Sequence, residues 1–560
     1  MKKLLFLIVG VSIFLFDGKA QISLDKQTKI DALFSQWDNE NSPGASIGII
    51  KDGKLIYSKS YGMGNLDYQI PLTADSKFYI ASTTKQFTAA CIALLSIEGK
   101  IGLDDEIQKY IPEIPNYGQK ITIRNLVFHT SGLRDYLGLM YLSGKSVEDY
   151  FTNDDGIKLI SKQLALNSSP GKEFIYSNSG YILLAEIVNR ASGMTIREYA
   201  DKNIFHPLGM KNTFFNDDRS QITKNRVISY RKEAGTLKRF VQNFDGLGDG
   251  NLLTTVNDLY LWDQNFYHKK VGGDEFIDLI STPGVLVSTP EMLHKGDTVQ
   301  YAFGLGHRKY KGLNVVAHSG AFLGFRTQLI RFQEQNFSVI VLSNISDFKP
   351  SEKVYRITDI LLDDKILENK IEKITPEKSN SFKLTNKKLD DFSALYWNNR
   401  DDQLINIYLK NDTLRYSNNE NRENLLLPIS KNKFKLINST TDITIKFELK
   451  DNKAYKMLAI TDRDTPKESF AFEKIPVTGE YIRSFVGSYY SDELDCTYEL
   501  KTNDDTLILY INGEEIITLN PLMDNFFTDD YYGTFRFKND DHLEFILNSG
   551  RIRGIKFIKH

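Results

Sequence analysis

Cysteine is almost absent from this sequence: Cys91 and Cys496 are the only two in 560 residues. They lie far apart, so a disulfide framework is excluded and the fold must rest on the size of its cores. Cys91 falls on an apolar helical face, which makes it a core residue rather than a nucleophile. Histidine is also scarce, with eight copies, no H-E-x-x-H pattern and no Cys/His cluster, so neither a metal nor any other cofactor is expected. Excess charge of either sign is lacking as well. A net charge of −2 gives no electrostatic footprint for nucleic acid, and a small-molecule or peptide substrate is the expected partner.

What is present first is an N-terminal processing signal. Lys2 and Lys3 precede an apolar stretch over residues 4–16, followed by Gly18-Lys19-Ala20, a small-x-small cleavage site. The apolar stretch is shorter than the roughly 20 residues that cross a bilayer. No cysteine stands near the cleavage site to carry a lipid. Residues 1–20 therefore read as a cleavable signal peptide, the mature protein as periplasmic or secreted, with no stable membrane span.

The length implies about three or four domains. Residues 43–62 hold two β-rich runs around Asp52-Gly53, a hairpin signal. Residues 81–99 switch to a helical period, with Phe87, Ala90, Cys91, Leu94 and Leu95 on one face and Gly99 as the stop. Helical and loop patterns continue to about residue 262. Strand patterns return over 314–342 and a helix ends near Leu362. An α+β domain, residues 21–362, is expected, its first and last strands sharing one antiparallel sheet.

Residues 363–388 are polar, contain Pro376 and read as a linker. Beyond them the texture is β, and it repeats. Tyr396 matches Tyr489, Asp412-Thr413-Leu414 matches Asp505-Thr506-Leu507, Pro428 matches Pro521 and Phe434 matches Phe527, all in one register. This repeat implies two tandem β-barrel-like domains, 389–477 and 478–560. They are expected to tune substrate choice without being needed for the fold of the catalytic part.

Chemistry enters at Ser82-Thr83-Thr84-Lys85. The i,i+3 spacing places an amine beside a hydroxyl at the start of the buried helix. Serine is a weak nucleophile until a base takes its proton, and a desolvated lysine near a helix N-terminus can be that base. The same N-terminus offers an N–H to an oxyanion. Three other S-x-x-K matches, Ser23/Lys26, Ser169/Lys172 and Ser430/Lys433, lack such a helix. Tyr176-Ser177-Asn178 supplies a phenol for proton transfer and an amide for a substrate carbonyl. A second Tyr-Ser-Asn at residues 416–418 falls in the first β-repeat, where a strand role is expected. His318-Ser319-Gly320 ends a strand. The small residues after the histidine, Gly320 among them, would let substrate approach its edge, and Ala321 would add an oxyanion N–H.

These three elements, in this order, resemble the serine β-lactamase and penicillin-binding protein superfamily, specifically its class C branch. So do PLTADSKFYIASTTKQFTA, ITIRNLVFHTSGL, PGKEFIYSNSGYILLAEIV, IFHPLGMKNTFF, GNLLTTVNDLYLW and HSGAFLGFR, spread over residues 30–346. The resemblance implies a β-lactamase/DD-peptidase-like fold with Ser82 as nucleophile, Lys85 as its base partner and Tyr176 as acid/base. Asn178 would position the substrate. His129 in HTSGL belongs to the pattern as a loop-forming residue. One departure stands out: His318 occupies the place of the lysine in Lys-Thr-Gly. An imidazole is largely neutral at pH 7, so the strand offers no fixed cation to a substrate carboxylate. The His-x-Gly form and the two barrels resemble D-aminopeptidases and esterase-like members. A D-aminopeptidase-like serine hydrolase is therefore favoured over a carboxylesterase, a class C β-lactamase, a DD-peptidase or a penicillin-binding sensor that does not turn over.

Overall fold

Asp52 and Gly53 both adopt positive φ, 48° and 75°, and fold the chain back between the strands Ala45–Lys51 and Lys54–Tyr61. Such a pair of left-handed residues matches the twist of a two-residue hairpin. In this computed structural model the described residues are 22–287, 299–363, 382, 384–399, 403–419, 422–437, 443–460, 466–474, 478–503, 506–529, 531–538 and 542–560. The expected signal peptide and most of the linker lie outside them.

The hairpin closes an eight-stranded antiparallel sheet. Ala45–Lys51 pairs with Phe337–Ser343, Ala45 opposite Ser343 and Lys51 opposite Phe337, so the two ends of the catalytic part meet as the sequence predicts. Strands Phe325–Phe332, Leu313–Phe322 and Gly306–Tyr310 continue the sheet, and Val299–Tyr301 and Val285–Val287 complete it. One face is covered by the helices Leu24–Ala32 and Pro350–Leu361, whose Ile30, Val354 and Ile357 pack on Ile47, Ile49, Val339 and Val341. The other face meets a helical lobe built around Lys85–Ile97, Asn178–Ser192 and Val256–His268. Cys91 is fully buried there, and burial pushes its thiol pKa up, which leaves it inert as a nucleophile.

Each C-terminal repeat is a closed eight-stranded barrel. The repeat residues are its skeleton: Leu414 and Leu507, Phe434 and Phe527 are buried inside. Tyr396 donates to the Phe392 carbonyl at 2.9 Å and Tyr489 to the Phe485 carbonyl at 3.0 Å, the same bond in both copies. Trp397 of the first barrel stacks edge-on against Phe526 of the second.

The second barrel is joined to the catalytic part far more closely than the linker implies. Leu139 and Leu142 of the helix Tyr136–Leu142 belong to the same apolar cluster as the barrel interior. Tyr498 donates to the Leu142 carbonyl at 2.7 Å. Arg134, 1% exposed, is ion-paired with Glu493, 4% exposed, and donates to the carbonyls of Arg553 and Gly554. Removing either partner of such a buried pair typically costs about 3–5 kcal/mol, because the other charge stays buried. The expectation that the catalytic part folds independently of the barrels does not fit this interface.

Candidate active site

Ser82 sits on a strained turn. Ala81, which precedes it, has φ +48°, a left-handed value unusual for a residue with a side chain. Residues Ala81–Thr84 form a 3₁₀ turn, and the α-helix begins only at Lys85. The strand behind holds this turn in place: Thr327 Oγ1 donates to the Ile80 carbonyl at 2.9 Å and lies 3.0 Å from Thr83 Oγ1. Gly320 makes that contact possible. A Cβ there would stand 2.2 Å from the Ile80 carbonyl oxygen and 2.4 Å from Thr327 Oγ1. The expectation for Gly320 was room for a substrate. Instead, the missing side chain makes room for the protein's own Ser82 turn.

Lys85 is fully buried, with three polar contacts on Nζ: Ser82 Oγ at 3.2 Å, Asn178 Oδ1 at 2.9 Å and the Asp249 carbonyl at 2.8 Å. Two of these partners can only accept. Ser82 Oγ is the only one of the three that can also donate. Asn178 opens the helix Asn178–Ser192, and its backbone N–H donates to Asp135 Oδ2 at 2.7 Å. Expected to position the substrate, Asn178 also positions the lysine. Asp249 itself was not anticipated from the sequence. Its carboxyl is buried, takes a hydrogen bond from Tyr136 at 3.1 Å and has its pKa raised by burial.

Tyr176 lies with its ring centroid 5.0 Å from Lys85 Nζ. Its hydroxyl is buried and has no hydrogen-bond partner among the described residues. A polar atom left so costs about 1–3 kcal/mol, a cost tolerated where function needs a free group. His129 stacks under the ring, centroids 4.2 Å apart. Its carbonyl accepts the Ile175 N–H at 2.9 Å and its Nδ1 the Ser177 N–H at 3.1 Å. With φ +57° His129 shapes its loop as expected, but it is also the bed on which Tyr176 rests.

Four hydrogen bonds then fix the protons of two histidines. His129 Nδ1 accepts from a backbone N–H, so its Nε2 carries the hydrogen and donates to Tyr301 Oη at 3.2 Å. At the other end His318 Nδ1 lies 2.7 Å from the Ser319 carbonyl, which can only accept, so Nδ1 carries the hydrogen and Nε2 is a lone pair. Tyr301 therefore donates to His318 Nε2, at 3.2 Å. Both rings are neutral in this chain. Burial and nearby Lys85 hold His129 well below the usual histidine range, and the same causes pull His318 down to about 3. Tyr301 is the residue the motif reading missed: no local pattern marks a tyrosine that joins two histidines from different segments.

His318, half-buried, and exposed Ala321 share the strand Leu313–Phe322. Ala321 pairs with Arg326 on one side. On the other, the neighbouring strand ends with Gly306 opposite Ala317, which leaves that edge from His318 onward unpaired by it. Ser82, Lys85, Tyr176, Asn178 and His318 thus converge, while the duplicate motifs do not join them. Ser23 caps the first helix, Ser169 and Ser430 form turns with Lys172 and Lys433, and Tyr416 packs on the first barrel's core. Arg551 reaches the site from the second barrel, its guanidinium 4.7 Å from the Tyr176 ring centroid. Among the described residues no three of His, Cys, Asp and Glu gather as a metal ion would need.

Comparison with known proteins gives the family. Residues 30–362 match the Beta-lactamase family. The chain is 31% identical over 337 residues to penicillin-binding protein 4* of Bacillus subtilis, covering 57% of this chain and 72% of that one. It is 28% identical over 306 residues to a D-aminopeptidase of Cereibacter sphaeroides, covering 54% of this chain and 57% of that relative's length. Among solved structures, the octameric penicillin-binding protein homologue from Pyrococcus abyssi superposes with a TM-score of 0.54 at 25% identity, covering 79% of this chain and 99% of its own. The chain belongs to the Beta-lactamase family, within the superfamily of serine β-lactamases and penicillin-binding proteins.

Proposed function

We propose that the protein is an exported serine hydrolase that cleaves amide, peptide or ester bonds through an acyl-enzyme on Ser82. The observation that carries this reading is the buried Lys85 Nζ, whose only contact among the described residues able both to donate and to accept is Ser82 Oγ. In the first step Lys85, as the free amine, takes the Ser82 proton while Oγ bonds to the substrate carbonyl carbon. The resulting oxyanion faces backbone N–H groups of the Ser82 turn and the open strand edge at Ala321. Tyr176 then gives its hydroxyl proton to the leaving nitrogen or oxygen as the tetrahedral intermediate collapses, and is reprotonated from Lys85. Water repeats the sequence on the acyl-enzyme and restores Ser82.

D-aminopeptidase-like hydrolysis is favoured by the D-aminopeptidase relative, the neutral His318 and the two barrels. Retention of serine, lysine, tyrosine and asparagine in one group favours turnover over a sensor that stalls as an acyl-enzyme. Export rests on the lysines and apolar stretch of residues 1–20, and among the described residues no helix is long and apolar enough to cross a membrane.

A fluorophosphonate probe should label the protein once, on the peptide containing Ser82, and Ser82→Ala should abolish labelling. Lys85→Ala should lose about 100- to 10,000-fold in ester turnover, the usual span for a lost acid–base group. Label retained in Ser82→Ala refutes the assignment. A wild-type acyl-enzyme that forms but never clears refutes turnover.

A further inference from the structure

A cation from the second barrel stands beside the site, over the Tyr176 ring and in a long ion pair with Asp135. Arg551 occupies the tip of the hairpin between the strands Glu544–Ser549 and Ile552–Lys559, where Gly550 takes φ +53°. The tip is held rigidly against the catalytic part. Asn167 donates from Nδ2 to the Arg551 carbonyl at 2.8 Å and accepts the Arg553 N–H on Oδ1 at 2.8 Å. The buried Arg134 grips the Arg553 and Gly554 carbonyls just beyond.

The guanidinium is held much less firmly than its backbone. It is 48% exposed and makes no hydrogen bond among the described residues. The nearest carboxylate, Asp135, stands 3.7 Å away and already accepts the backbone N–H groups of Leu137, Gly138 and Asn178. Glu173, the other acid nearby, pairs with Arg553. Arg551 and Lys85 both lie within 5.0 Å of the Tyr176 ring centroid, so the guanidinium and the lysine nitrogen are at most about 10 Å apart. A half-exposed guanidinium whose one ion pair is this long keeps donors free for a carboxylate, which it can bind with two parallel hydrogen bonds.

We propose that Arg551 is a specificity-determining residue: it binds a carboxylate on the substrate, in the role the strand cannot fill with His318. The inference rests on the hydrolase reading above and narrows it. The cation absent from the catalytic strand is supplied by a hairpin of another domain.

The test uses the full-length protein and two 4-nitrophenyl esters of equal length, the neutral valerate and the anionic hydrogen glutarate. The wild type should prefer the glutarate in kcat/KM. The glutarate-to-valerate ratio should fall about tenfold or more in Arg551→Ala, further in Arg551→Glu, and only partly in Arg551→Lys. Raising ionic strength should shrink the wild-type preference, because the charge is exposed. A ratio within twofold of wild type in Arg551→Ala and Arg551→Glu overturns the proposal, as does equal loss on both esters, which marks a purely structural hairpin. Those results leave the hydrolase reading standing. If the wild type hydrolyses neither ester and takes no fluorophosphonate, the hydrolase reading falls and this one with it.

Discussion

Replacing Gly320 by alanine perturbs the nucleophile without touching it. The added Cβ would lie 2.2 Å from the Ile80 carbonyl oxygen, 2.4 Å from Thr327 Oγ1 and 3.1 Å from Ala81 Cβ. An unstrained contact needs about 3.5 Å, so roughly 1.3 Å must be found on the Ile80 side. Thr327 could rotate away, but only by giving up its bonds to Ile80 and Thr83. The Ile80 oxygen is backbone and cannot rotate, so the turn itself must move, carrying Ser82 two residues later. Overpacking of this kind costs about 1–3 kcal/mol in stability. A reacting atom displaced by about 1 Å costs on the order of 100-fold in rate. Gly320→Ala should therefore stay folded and lose roughly 100-fold in kcat, and it should react with a small fluorophosphonate at a similarly reduced rate. A substrate-binding role for Gly320 predicts a different result: a higher KM for bulky esters and a normal rate with the small probe. Near-native labelling of Gly320→Ala, measured by stopped-time gel fluorescence, would refute the packing argument.

Tyr176→Phe should lower ester turnover by about 100-fold or more, whereas Tyr416→Phe, altered in the duplicate motif on the first barrel, should leave turnover unchanged; equal effects in steady-state assays would place the barrel in the reaction. The His318 imidazole takes its proton near pH 6.5 when unfolded and near 3 when folded, so between those values the unfolded chain binds more protons and acid destabilises the fold. The unfolding temperature should fall as pH drops from 6.5 towards 3, less steeply in His318→Asn, while the glutarate-to-valerate ratio stays flat between pH 8 and 5 because His318 gains no charge there; a step in that ratio near pH 6 would contradict the chain of hydrogen bonds through Tyr301.

The parts of this protein that could be read in sequence are those whose physics is local. Asp52-Gly53 announces a hairpin because two left-handed residues in succession have few other uses. Ser82 and Lys85 announce a site because three residues of helix bring them together whatever surrounds them. The barrels were legible through their repeat, since Tyr396 and Tyr489 make the same bond to a carbonyl four residues back. Gly320 reads in sequence as room for a substrate. Sequence carries no information on what comes close, and the answer was the Ile80 carbonyl.

The features that stayed hidden depend on contacts between distant segments. Tyr301 has no neighbour in sequence that marks it, yet it joins His318 to His129. The reasoning from His318 to substrate charge considered one domain alone. It held that a strand without lysine leaves a site without a fixed cation, which is sound for a site built by one domain. Here the catalytic lobe buries Arg134 against Glu493 and clasps the hairpin with Asn167, and both contacts fix where Arg551 stands. A neutral strand and a cationic hairpin therefore form one arrangement. His318, with both nitrogens engaged inside the protein, is withdrawn from charge recognition, and the barrel that looked like an appendage takes it over. The charge that a relative of this architecture prefers in its substrate should therefore track the residue at its hairpin tip more closely than the residue on its strand.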